Sequence, residues 1–137
     1  MPTAFSQPAH RAYEDAMLLH VQGRLGTSDH LYGIAGECAL KAILVGLNVI
    51  VQTPPNRPEP PYAQHVPELW DEYVAAMEGR MACGYIPSTS NPFLGWRIEH
   101  RYSDDVDFDN ARVDNHRDAA AVVMELLERA ELDGVVR

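Results

Sequence analysis

Basic charge is scarce in this sequence: ten arginines and a single lysine, Lys41, stand against twenty acidic residues, giving a formal net charge of -9. That balance disfavours non-specific attraction to nucleic acid or to an anionic membrane, so a phosphate-bearing partner has to be met by a local basic patch. Cysteine is scarce too. Cys38 and Cys83 are far apart, lack C-x-x-C spacing and sit beside small apolar residues, which reads as two reduced core thiols of a cytosolic protein. Residues 42–51 are free of charge, too short a run to span a bilayer with Glu37 and Lys41 just upstream. The opening MPTAFSQPAH has no basic region followed by an apolar run, so no signal peptide is expected. The phosphate-loop, dinucleotide and nucleophile-elbow glycine patterns are missing. The six histidines form neither H-x-x-x-H nor H-E-x-x-H, and no metal or cofactor is expected. Asp105, Asp107 and Asp109 imitate a calcium loop, but the sixth position is Asn110 and the twelfth His116, so helix capping explains these acids better.

What is present is helical periodicity. A chain of 137 residues, 46% apolar, is the size of one domain with an ordinary core, and residues 1–137 are read as a single unit. The spacing predicts a first helix from about Ser6 to Gly23, with Tyr13, Ala16, Met17, His20 and Arg24 on one stripe. A second helix runs from a cap at Thr27, Ser28 or Asp29 to about Gln52, close enough to the first to be its antiparallel neighbour. TPPNRPEPPYAQ follows as a proline-rich loop, then a third helix from His65 or Val66 to about Arg80, a loop over 82–95 and a short helix or turn at WRIEHRY. The last helix begins at an Asp107, Asp109 or Asn110 cap and ends at Gly134, with Val113, His116, Ala120, Val123, Leu127 and Ala130 as a bundle seam. The fold class is all-α, an up-and-down four-helix bundle with the proline-rich loop between helices two and three.

Two stretches carry candidate chemistry. On the second helix, at about 100° per residue, His30, Glu37, Lys41, Asn48 and Gln52 fall on one narrow polar row. The row is either a strip of solvent-exposed surface, with Glu37 and Lys41 as an ordinary i, i+4 ion pair, or the lining of a shared polar cleft. In WRIEHRY, Arg97 and Arg101 repel each other at helical spacing unless an anion lies beside them. That anion is either internal, from Glu37, Asp104 or Asp105, or a phosphate recognised by guanidinium groups.

DHLYGIAGECALKAIL in the second helix, His65 opening the third, and Arg101–Tyr102 followed by acids before the last helix resemble the HEPN family of small helical domains, over roughly residues 10–132. The resemblance implies a helical bundle, often dimeric, that acts either as a ribonuclease toxin with R-x4-6-H near the last helix or as a non-catalytic nucleotide- or RNA-related module associated with a nucleotidyltransferase. The catalytic spacing is not met in the matching region: His100 follows Arg97 after two residues and His116 follows Arg112 after three, while Arg24-x5-His30 fits but lies ahead of the expected second helix. The resemblance thus favours a cytoplasmic, homodimeric, non-catalytic binding or regulatory module, with a cleft built from Glu37, Lys41, His65, Arg101 and Tyr102. Its alternative is a metal-independent endoribonuclease of a toxin–antitoxin pair using Arg97, His100 and Tyr102.

Overall fold

The structure, a computed structural model, describes residues 5–50, 60–80 and 83–136. Among them there are four α-helices and no strand: α1 (Ser6–Val21), α2 (Leu25–Gly46), α3 (Glu68–Gly79) and α4 (Asn110–Leu132). Short 3₁₀ turns at Cys83–Tyr85, Ile98–Tyr102 and Asp105–Asp107 punctuate the segment between α3 and α4. No described helix is long and apolar enough to cross a membrane. Most of the proline-rich loop expected after α2, residues 53–59, lies outside the described residues.

Three helices stop in the same way. A residue with positive φ follows the C-cap, Gly23 (76°) after α1, Asn48 (60°) after α2 and Gly134 (77°) after α4. The next amide reaches back to the third carbonyl from the helix end: Arg24 to Leu19, Val49 to Leu44 and Val135 to Ala130, at 2.9, 2.8 and 2.9 Å. These bonds satisfy carbonyls that the helix leaves unpaired. At α2 this motif overrides the apolar run that predicts a helix to Gln52, because asparagine enters the left-handed region more readily than most residues that carry a Cβ. The other end of α2 also moves. It starts at Leu25, with Arg24 at the N-cap and no side-chain cap, so Thr27, Ser28 and Asp29 are inside the helix rather than ahead of it. Asp109 is the cap of α4, its carboxylate accepting from the Arg112 amide at 2.8 Å.

The three-residue connection from α1 turns the chain back at once, and α1 meets α2 through Ala9, Ala12 and Ala16, all buried and small enough for close approach. The up-and-down order ends there. Asp29 faces His116 and Gly46 faces Val135, so α2 and α4 run the same way. His65 faces Glu37 and Arg80 donates to the Leu47 carbonyl, so α3 follows that direction as well. Among the described helices α2, α3 and α4 share one direction and only α1 is antiparallel to α2, so neither α2 and α3 nor α3 and α4 form a helical hairpin. The core is apolar α2 against the α4 seam, with Leu40, Ile43, Leu44, Val113, Val123 and Leu127 at its centre. Each such side chain gains roughly 1.5–3 kcal/mol on full burial. The return before α4 drives Phe93 and Trp96 into α2 opposite Gly36 and Gly33, where any Cβ would collide with the rings. Two glycines one turn apart therefore decide where this segment docks.

Candidate functional site

The polar row of α2 is not a solvent strip where its charges lie. Glu37 and Lys41 are 9% and 7% exposed. The Glu37 carboxylate is held between the Lys41 ammonium, at 3.3 Å, and the Nδ1–H of His65, at 2.5 Å, and the ammonium also lies 5.8 Å from the centre of the Phe5 ring. Burial of both charges is tolerable because each has a partner of opposite sign or an aromatic face beside it. Asn48 falls beyond the end of α2, and Gln52 lies outside the described residues.

Two turns nearer the start of α2 is a second buried cluster that sequence reasoning missed. Asp29 is completely enclosed and accepts from His116 Nδ1 at 2.5 Å, while its backbone carbonyl accepts from the Trp96 indole at 3.0 Å. Its second carboxylate oxygen is 3.8 Å from Arg112 Nε, and both of these atoms are buried without a hydrogen bond. Arg112 instead directs Nη2 to the Gly95 carbonyl, at 3.2 Å, and to His100 Nδ1, at 2.6 Å. His116, expected as a packed seam residue, is buried as expected, but by a carboxylate as well as by Phe93, whose ring stacks 6.2 Å away. The nearby Ser28 hydroxyl donates to the Ala16 carbonyl at 2.7 Å, a third role that a capping assignment hides. The sequence signal that could have found the cluster is the phase of Asp29: counted inside the helix, it falls on the apolar side that meets α4.

His30 lies between the two clusters. Its ring stacks on Trp96 at 6.1 Å, and its Nδ1 is enclosed without a partner. Burial first, and the Arg101 guanidinium second, push its pKa below the usual histidine value, against the opposing pull of Asp29 and Glu37. His100 is likewise lowered, by burial and then by Arg112.

Two neighbouring concavities open here. The first, about 330 Å³, is lined by His65, Glu68, Trp96, Arg97, Ile98 and Glu99 among others. The second, about 240 Å³, is bounded by the first turn of α2 at Gly26 and Thr27 and by His30, His100, Arg101 and Asp105. The cleft expected from five residues is thus divided: Glu37, Lys41 and His65 meet, whereas Arg101 belongs to the second concavity and Tyr102 is 77% exposed beneath the Arg101 guanidinium, 4.8 Å from its ring centre. The internal anion expected for Arg97 and Arg101 is not found either. Among the described residues neither arginine forms an ion pair: Glu37 is engaged by Lys41 and His65, and Asp104 and Asp105 pair with neither arginine. Of the alternative catalytic trio, Arg97 lines one concavity and His100 the other. Arg24 is the N-cap of α2 and His30 is within that helix, so that arginine–histidine pair is not ahead of helix two.

No family model, curated protein or solved structure matches this chain. Fold and site together define an all-α helical bundle with a buried carboxylate–imidazole–guanidinium network beside a concavity lined by one arginine, one aspartate and two histidines.

Proposed function

We propose that this protein is a HEPN-like, non-catalytic binding module that takes a phosphate-bearing ligand of nucleotide or RNA type, with Arg101 as its charged contact and the single N–H groups of neutral His30 and His100 as donors. The observation that carries the reading is the second concavity: an arginine with no carboxylate partner among the described residues shares it with two histidines, on a chain whose net charge is -9. A guanidinium placed so is suited to forked hydrogen bonding to a phosphate. Asp105, which also lines this concavity, suits acceptance of a hydrogen bond from a hydroxyl or amino group of the same ligand. The family resemblance extends the proposal to a homodimer and to a nucleotidyltransferase-type partner.

Support for the absence of catalysis comes from α4. Its Arg112 and His116 are engaged by Gly95, His100 and Asp29, so α4 itself offers no free arginine–histidine pair to a scissile phosphate. The alternative, an endoribonuclease, draws on the two imidazoles in one concavity, but acid–base cleavage needs one of them protonated, and burial drives both toward the neutral form. Titration of the isotopically labelled protein with adenosine 5'-monophosphate, beside adenosine as control, tests the reading. Saturable shifts at His30 and His100 with the phosphorylated compound, lost in Arg101→Gln, are expected. Equal responses to both compounds, or none, contradict it.

A further inference from the structure

The buried network beside the concavity holds an unclosed contact. Asp29 Oδ2 and Arg112 Nε are each enclosed, each without a hydrogen bond, and 3.8 Å apart. A buried carboxylate oxygen and a buried guanidinium N–H left in this state each carry a desolvation cost that one short bond between them removes. What keeps Arg112 from closing on Asp29 is its hold on the other side: Nη2 donates to the Gly95 carbonyl and to His100 Nδ1. The second acceptor exists only while His100 is neutral, since a protonated imidazole has no lone pair to offer.

We infer that His100 is a proton-operated latch: neutral, it ties the Ile98–Tyr102 turn to α4 through Arg112; protonated, it releases Arg112 to Asp29 and frees the turn that carries Arg101. Two packings of the same side chain, each satisfying a different subset of buried groups, form the bistable element that such a device requires. The groups facing His100 are Arg112 from α4, Asp29 from α2, and Arg97 and Glu99 from its own turn, with His30, Arg101 and Asp105 sharing one concavity and Asp107 another. Arg112 is the nearest charge, and it opposes the protonated state, so gain of a proton there is coupled to movement of the guanidinium. Trp96, anchored by its indole to the Asp29 carbonyl, fixes the point about which the turn is released. This rests on the proposed anion site only in that the turn carries Arg101.

The test contains no ligand, so it stands or fails apart from binding. Backbone amides of His100 and Ser103, bonded to the Arg97 and His100 carbonyls at 3.1 and 3.0 Å, report the turn, and the Arg112 Nε–H resonance reports closure on Asp29. As pH falls from 7.5 to 5.0, protection of the two amides, corrected for intrinsic exchange, decreases by up to about tenfold per pH unit below the His100 titration, while Arg112 Nε–H gains protection. The Trp96 indole stays protected, and the helical circular dichroism stays constant. His100→Asn, whose side-chain oxygen replaces the Nδ1 acceptor without titrating, removes both changes, and His30→Gln retains them. Unchanged Arg112 Nε–H protection across the range in the parent, or the same transition in His100→Asn, overturns the latch.

Discussion

Glu37 is the residue whose removal has the clearest consequence. Alanine there leaves the Lys41 ammonium buried with only the Phe5 ring beside it and takes the partner from His65 Nδ1. Breaking a buried pair from one side costs about 3–5 kcal/mol. Urea melts of Glu37→Ala are expected to show a loss in that range. A loss within about 0.5 kcal/mol, the scale of an exposed helical pair, contradicts the buried arrangement. His30 and His100 supply a second residue-scale expectation. Their pKa values are lowered in the folded chain, so the unfolded chain binds more protons as pH falls below about 6.5, the ordinary histidine value. The stability they contribute is present above that pH and lost as pH falls through their folded values. Denaturation midpoints measured from pH 7.5 to 5.5 are therefore expected to fall more steeply for the parent than for the His30→Gln, His100→Asn double variant. A steeper fall in the variant reverses the sign and contradicts the assignment.

At the scale of elements, the glycines of α2 test how the return segment docks. A methyl group at Gly33 meets the Trp96 indole ring directly, whereas at Gly79, near the exposed end of α3, it meets nothing within 4 Å. Gly33→Ala is expected to destabilise by roughly 1–3 kcal/mol through displacement of the indole. Gly79→Ala is expected to be neutral or stabilising by about 0.5–1 kcal/mol, through helix propensity. Comparable thermal melts of the two variants would remove Trp96 docking from the account. Helix existence and the α4 seam were legible in the sequence because three- and four-residue apolar spacing reports burial: Val113, His116, Ala120, Val123, Leu127 and Ala130 are all buried. The boundaries of α2 were not legible. Ser28 and Asp29 look like caps by residue type, and only the position of Gly23 in the preceding turn shows that the helix has already begun. Helix direction was equally hidden, since the distance between predicted helices does not tell a return crossing from a turn. Of the site, the Glu37–Lys41 spacing and the unusual arginines of WRIEHRY were visible, but the meeting of Asp29, Arg112 and His100 spans three separate stretches of chain that no local pattern joins.

For the whole molecule, the homodimer that the family resemblance implies is expected as a species of about twice the 15.3 kDa chain mass in sedimentation at micromolar concentration. A lone 15.3 kDa species under those conditions counts against it. The central claim is that this bundle binds a phosphate-bearing ligand without cleaving it, because Arg112 and His116 are engaged inside the fold. Its most direct measurement is incubation of the purified protein with single-stranded and structured RNA in chelator, from pH 5.5 to 8, beside Arg97→Ala, His100→Ala and Arg112→Ala variants. Intact RNA with the parent at every pH is the result the account predicts. Cleavage by the parent that disappears in one of the variants contradicts it and makes the two concavities a catalytic site.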